Sequence, residues 1–144
     1  MTRVSISIHA SAATVWDALI RPEQIKKYFF GTEIETDWKP GSPIYWRGTW
    51  QGTTYEDKGK VLEIRKDRRL SFAHWSSFSG KPDLPQYYQA VTYDIRDEGE
   101  HTVVTVTQDS ADQEKDSCEA NWKIVLDGLK KLIEFRGDSS RMPA

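Results

Sequence analysis

The sequence predicts an α+β domain in which a curved antiparallel sheet wraps around one long C-terminal helix. Three observations lead to this prediction: a period-two strand at the N-terminus, a strand-like middle interrupted by Gly and Pro, and a helical period after residue 109. A chain of 144 residues fits one domain and should bury about 68% of the surface that its unfolded form exposes. One hydrophobic core is therefore expected.

The N-terminal segment predicts a strand followed by two short helices. Hydrophobic residues alternate with polar ones from Val4 to Ile8, as in a strand with one buried face. Ser11 is placed to cap the first helix, and Pro22 ends it and begins a second. The two helices present an apolar stripe made of Ala12, Val15, Trp16, Leu19, Ile25, Tyr28 and Phe29.

The middle of the chain, from Glu33 to Asp109, predicts about six antiparallel strands separated by Gly and Pro turns. Alternation assigns Ile44, Trp46, Gly48 and Trp50 to one face, and Val91, Tyr93 and Ile95 to one face of a later strand. Around Gly59 the phase of the apolar residues changes, which predicts a β-bulge at this glycine.

The C-terminal segment predicts a helix from about Gln113, in a capping box with Ser110, to Arg136, with Gly137 as its cap. Its apolar stripe would face the sheet and contains Cys118, Trp122, Val125, Leu126, Leu129, Leu132 and Ile133. We therefore expect one domain over 1–137 and a flexible tail over 138–144.

Composition excludes several classes of function. The net charge of −2 provides no basic field for nucleic acid. No apolar run approaches the ~20 residues that cross a bilayer, so no membrane insertion is expected. The single cysteine and the lack of a signal-like start favour a cytoplasmic protein. Three scattered histidines lack metal-ligand spacing, so we expect no metal and no cofactor.

The order and spacing of several short motifs resemble one known family. These motifs are Ala12-x-x-Val15-Trp16, Pro22 with Tyr28-Phe29, His74-Trp75-Ser76, Ser79-Gly80 with Pro82-Asp83, and Asn121-Trp122 with Val125-Leu126, Leu129-Lys130 and Glu134. Over nearly the whole chain the sequence resembles the START-like (SRPBCC) superfamily and, within it, the activator of heat-shock-protein-90 ATPase homologue family. The resemblance implies a helix-grip (START-like, Bet v 1-like) fold with a hydrophobic cavity between the sheet and the C-terminal helix.

The resemblance gives a use to the aromatic excess of six Trp, six Tyr and five Phe, which composition alone attributes more readily to a solid core than to a pocket. The expected cavity lining is Trp46, Trp50, Phe72, His74, Tyr93, Trp122, Val125 and Leu126. The expected entrance is the loop from Phe78 to Pro85. A substitution at Gly48 would then fill the pocket at little cost in stability.

The function expected from this cavity is the binding of a small hydrophobic or amphipathic molecule, without catalysis. One alternative is an enzyme of the polyketide cyclase or aromatase type, in which His74 or Tyr93 polarises a carbonyl; another is a co-chaperone-like module that binds a chaperone or another protein. A structural role for His74, with a hydrogen bond to the backbone, is favoured over catalysis, because no nucleophile or second base lies at a suitable spacing. Asp57 is interpreted as a solvated charge without a catalytic role.

Overall fold

The structure is a computed structural model that describes residues 1–109 and 115–141, without the side chains of residues 50, 115 and 136–141. Its strands are β1 (Thr2–Ile8), β2 (Glu33–Glu35), β3 (Pro43–Trp50), β4 (Thr53–Arg65), β5 (Arg69–Trp75), β6 (Gln89–Asp97) and β7 (Thr102–Gln108). Its helices are α1 (Ala12–Ile20), α2 (Pro22–Tyr28) and α3 (Lys115–Arg141), with a 3₁₀ turn at Pro85–Tyr87. The predicted α+β class and element order are confirmed.

The seven strands form one antiparallel sheet in the order β1-β7-β6-β5-β4-β3-β2. The first strand pairs with the last, from Thr2 opposite Gln108 to Ile8 opposite Thr102. This pairing leaves β1 and β2 at the two edges of a sheet that curves around α3. The helix-grip architecture is therefore present, and β1 carries much of the contact with α3.

The short helices begin where the sequence predicts. The Ser11 hydroxyl accepts a hydrogen bond from the backbone N–H of Thr14 at 3.2 Å and caps α1. Pro22 occupies the first turn of α2, where its missing N–H costs no hydrogen bond. The hydroxyl of Tyr28, at the end of α2, donates to the backbone oxygen of Ala18 at 2.8 Å and fixes α2 against α1.

The long helix buries the expected stripe: Trp122, Val125, Leu126, Leu129 and Ile133. Gly128 lets α3 approach α2, because a Cβ there would lie 3.3 Å from the Cβ of Tyr28. The helix continues through Gly137 to Arg141, so the expected cap at Gly137 is wrong. The expected start near Gln113 and its capping box with Ser110 lie outside the described residues.

The predicted bulge at Gly59 is also wrong. Gly59 pairs in regular register with Ile44 and His74, and the shift occurs between Val61 and Glu63. Leu62 is the residue left over at this shift, and it is 47% exposed. Gly59 is a glycine for a different reason: a Cβ there would lie 2.2 Å from the backbone oxygen of Ala73 and 2.7 Å from the ring of Trp46.

Among the helices that the structure describes, none is long and apolar enough to cross a membrane.

Candidate functional site

The candidate site is the region between the concave face of the sheet and α3, where a continuous series of aromatic rings packs. We call this series the aromatic row: Phe29, Trp122, Tyr93, Phe72, Trp46 and His74. Successive ring centroids lie 6.1, 5.7, 6.2, 5.4 and 4.9 Å apart. Most of these pairs have the tilted or edge-to-face geometry that aromatic side chains favour.

The aromatic row crosses the fold from helix to sheet. Trp122 is on α3 and meets Tyr93 of β6, so the row connects the two layers. Phe72 of β5 and Trp46 of β3 continue it over the sheet, and Gly59 of β4 leaves room for the indole of Trp46 to lie across the strand. The strand pairings β6·β5·β4·β3 thus bring together residues that lie far apart in the sequence.

Most of the predicted lining residues occupy this space. Trp46, Phe72, Tyr93, Trp122, Val125 and Leu126 are buried in one core cluster. His74 is partly buried, with 26% of its side chain exposed. The side chain of Trp50 lies outside the described part of the structure. Whether these residues contact a ligand stays a prediction.

The hydroxyl of Tyr93 is the unusual polar group of the aromatic row. Tyr93 is 5% exposed, and burial raises the pKa of its hydroxyl well above the usual range. Buried tyrosine hydroxyls usually find a partner, as Tyr28 does on Ala18. The hydroxyl of Tyr93 makes no hydrogen bond with any described residue.

A second feature of the concave face is a line of polar side chains on four neighbouring strands. We call it the polar row: Asp57 on β4, His74 on β5, Gln89 on β6 and Gln108 on β7. Each shares the face of the buried residues on its strand and is itself partly buried. The polar row therefore borders the aromatic row at one end of the sheet.

Asp57 and His74 form a hydrogen-bonded pair in the polar row. His74 Nε2 lies 3.1 Å from Asp57 Oδ2. Because an ionised carboxylate only accepts hydrogen bonds, Nε2 carries the proton, and in a neutral ring Nδ1 is then an acceptor. No described residue bonds Nδ1. His74 can therefore accept a proton or hydrogen bond from a ligand at that atom.

The environment of Asp57 keeps it ionised. Burial by itself raises the pKa of Asp57, but the interactions with His74 and the hydrogen bonds from Ser77 outweigh burial. The pKa of Asp57 therefore lies below its ordinary value. Ser77 contributes its backbone N–H and its hydroxyl, each 2.9 Å from Asp57 Oδ1. The interpretation of Asp57 as a solvated charge is wrong, because only 14% of its side chain is exposed.

The other two residues of the polar row, Gln108 and Gln89, are linked to α3 by hydrogen bonds. Gln108 Oε1 accepts hydrogen bonds from the indole N–H of Trp122 at 2.7 Å and from the thiol of Cys118 at 3.2 Å. Gln108 Nε2 donates to Gln89 Oε1 at 2.6 Å. The indole N–H of Trp122 is therefore already bonded within the fold.

The loop after β5 is fastened across the end of the sheet. Ser77 binds Asp57, and Lys58 forms an ion pair with Asp83 at 3.1 Å. The ring of Phe78 lies 5.5 Å from that of Tyr55, although Phe78 is 53% exposed. This loop is the expected entrance, and its role as an entrance stays a prediction.

Gly48 is not the open position that the strand pattern predicted. A Cβ there would lie 2.7 Å from the hydroxyl of Tyr55, whose oxygen lies 2.5 Å from Thr32 Oγ1. A larger residue would displace Tyr55 and break this hydrogen bond. Because the contacted atoms are the far end of the Tyr55 side chain, the stability cost of a substitution at Gly48 stays a prediction.

Comparison with known proteins agrees with this architecture. Residues 9–134 match the family model described as Activator of Hsp90 ATPase homolog 1-like protein. The chain belongs to this family. The resemblance predicted from the sequence motifs is thereby confirmed.

Three solved structures illustrate the likeness. The solution structure of ChR145 from Cytophaga hutchinsonii is 41% identical, with 95% of both chains covered and a TM-score of 0.81. CalU16 from Micromonospora echinospora is 23% identical, with 91% of this chain and 74% of that chain covered and a TM-score of 0.71. The Aha1 dimer from Colwellia psychrerythraea is 19% identical, with 92% and 95% covered and a TM-score of 0.69. The last two show the fold alone, and a comparison with curated proteins found no match.

Proposed function

We propose that this Activator of Hsp90 ATPase homolog 1-like domain binds a small amphipathic molecule between its sheet and α3. The supporting observation is Tyr93, a residue of the aromatic row that is only 5% exposed and whose hydroxyl has no hydrogen-bond partner among the described residues. A ligand oxygen placed beside this hydroxyl would form a hydrogen bond, which contributes about 0.5–1.5 kcal/mol net.

The neighbouring polar row suggests the chemistry of the ligand. Its apolar body would lie against Phe72, Trp46 and Trp122. Its polar end would meet Tyr93, which donates or accepts, and Nδ1 of His74, which accepts. A hydroxyl or phenol group can bond either partner, since it is a donor and an acceptor at once.

The experiment compares 2-naphthol with 2-methylnaphthalene, which has nearly the same shape but no hydrogen-bonding group. Binding is followed by NMR through the indole N–H signals of the tryptophans. We expect 2-naphthol to bind in the micromolar range, about −8 kcal/mol, and about tenfold tighter than the hydrocarbon.

Two matched variants decide whether the unpaired hydroxyl is responsible. Tyr93→Phe should lose the preference for 2-naphthol while its stability stays almost unchanged, because no hydrogen bond is lost. Tyr28→Phe should keep the preference but lose about 1 kcal/mol of stability, because its bond to Ala18 is removed. Absence of binding for both probes, or an unchanged preference in Tyr93→Phe, would contradict the proposal.

A second candidate function is catalysis in the same space, favoured by the Asp57–His74 pair. In this case Asp57 orients the imidazole and His74 Nδ1 acts as a general base on the bound molecule. Conversion of a co-purified molecule by the parent protein, with a pH dependence that disappears in His74→Gln, would favour the enzyme over a binding module.

A third candidate follows from the family description, which concerns activation of a chaperone. Such a module would use an exterior surface. Chaperone binding that persists in Tyr93→Phe and in a variant that no longer binds 2-naphthol would favour this candidate.

A further inference from the structure

A separate groove of about 460 Å³ lies outside the space between the sheet and α3. It is bordered by α1, by the loop before β3 and by the β4–β5 turn, and its apolar wall consists of Ala13, Trp16, Ile20, Trp38 and Ile64. The turn immediately precedes β5, whereas His74 is near the other end of that strand. The described residues that line the groove are all outside the aromatic row, and its volume is in the range of small-molecule sites, about 300–1,000 Å³.

Trp38 forms a fixed wall of this groove. Its backbone has φ of 59°, a left-handed conformation that bulky residues rarely adopt. Its indole N–H donates to the backbone oxygen of Ile20 at 2.8 Å, which ties the ring to α1. A strained backbone conformation of this kind persists only where the surrounding structure holds it in place, and such conformations are often found at functional sites.

Asp67 provides a carboxylate at the same groove without a partner. It also has a left-handed backbone, with φ of 64°. Its Oδ1 is buried without a hydrogen-bond partner, and the residue makes no ion pair with any described residue. The other acidic residue of the groove, Asp17, is by contrast paired with Arg21. A partly buried, unpaired carboxylate is costly unless a cation compensates it.

The neighbouring Lys66 does not supply that cation. Lys66 borders the groove but is exposed and forms no ion pair with Asp67. An exposed ammonium is fully hydrated and gains little from an anion. Asp67 is therefore the carboxylate of the groove that no described cation compensates.

We propose that this groove is a second binding site, for a small apolar or aromatic molecule that carries a protonated amine. The ammonium pairs with Asp67, and the apolar body lies along Trp38, Ile20 and Ile64. The proposal rests on the groove itself and is independent of the ligand proposed for the aromatic row.

The test uses three probes of similar size: 2-phenylethylamine, 2-phenylethanol and 3-phenylpropionate. Binding is followed by NMR through the indole N–H of Trp38 and the backbone N–H of Ala13. We expect the amine to shift both signals with a dissociation constant of about 1 mM or tighter, at least tenfold below that of the alcohol. The propionate should bind more weakly than either.

Two pairs of variants make the test specific. Asp67→Asn keeps a residue that tolerates the left-handed backbone and should reduce amine binding to the level of the alcohol, whereas Asp127→Asn on the exposed face of α3 should change nothing. Ala13→Leu should obstruct the groove and weaken all binding at least tenfold, while Ala120→Leu, at an exposed position of α3, should not.

The proposal is overturned if the alcohol or the propionate binds as tightly as the amine, or if Asp67→Asn binds the amine normally. It is equally overturned if the amine shifts the indole of Trp122 instead of Trp38, which would place it in the aromatic row.

Discussion

The substitution Gly59→Ala tests how the sheet accommodates the aromatic row. The added Cβ would lie 2.2 Å from the backbone oxygen of Ala73 and 2.7 and 2.8 Å from two ring atoms of Trp46. Ordinary carbon contacts lie at about 3.5–4.0 Å. The oxygen and the indole must therefore each move by about 1 Å, and neither is the free end of a flexible side chain.

The expected loss follows from these contacts. Overpacking in a well-packed core costs about 1–3 kcal/mol and occasionally more. A clash with backbone in the middle of the β4–β5 pairing belongs at the upper end of that range. Replacement of Gly by Ala also reduces the entropy of the unfolded chain, which returns about 0.4–1 kcal/mol. We expect a net loss of about 2–3 kcal/mol.

The assay is equilibrium urea unfolding, followed by the combined fluorescence of the six tryptophans. The control is Gly41→Ala, where a Cβ has open space and only the left-handed φ of 88° opposes the substitution; it should lose about 1 kcal/mol. A loss at Gly59 no larger than at Gly41 would refute the proposed packing of Trp46 over β4.

Other predictions concern the helix, the polar row and metal dependence. Leu126→Ala should cost about 2–5 kcal/mol because the side chain is 1% exposed, and Leu126→Asp should prevent folding; normal circular dichroism and stability in either variant would contradict the burial of the α3 stripe. The lowered pKa of Asp57 means that its stabilisation is complete above its unfolded pKa of about 4 and is lost as pH falls through its folded pKa. Unfolding at pH values from about 6 to 2 should therefore show a smaller acid loss for Asp57→Asn than for the parent, and equal losses would exclude this role. Addition of a chelator should leave the thermal midpoint unchanged, since the described residues contain no group of three potential metal ligands; a lower midpoint would reveal a missed site.

Local sequence patterns predict the elements of this fold well. The alternation at Val91, Tyr93 and Ile95 and the stripe containing Leu126 and Leu129 depend only on the period of each element, and all five residues are buried. The family motifs predict how these elements pack together, because the order of the motifs along the chain is typical of the helix-grip fold. Predicting these features requires no knowledge of how neighbouring strands are aligned.

Features that depend on register could not be predicted in the same way. Gly59 has no side chain because the ring of Trp46, from the neighbouring strand β3, lies against it. A single sequence cannot distinguish this reason for a glycine from a β-bulge. Asp57 shares the phase of Tyr55, Gly59 and Val61, and this phase was an available signal that it faces inward. Its pairing with His74 depends on the β4·β5 alignment.

The groove beside Trp38 and the unpaired hydroxyl of Tyr93 depend on tertiary contacts. The groove forms where α1, the loop before β3 and the β4–β5 turn meet, and these segments share no sequence period. The hydroxyl of Tyr93 is notable only because no described residue forms a hydrogen bond with it. A pattern of residue types in the sequence contains no information about such a contact.

The central claim is that a small molecule occupies the space beside Tyr93. Native mass spectrometry of the protein purified from its own host tests it most directly. The account predicts a non-covalent adduct of small-molecule mass that 2-naphthol displaces and that is depleted in Tyr93→Phe. A protein found only at its unliganded mass, together with no detectable binding of 2-naphthol, would contradict the account and identify the aromatic row as a solid core.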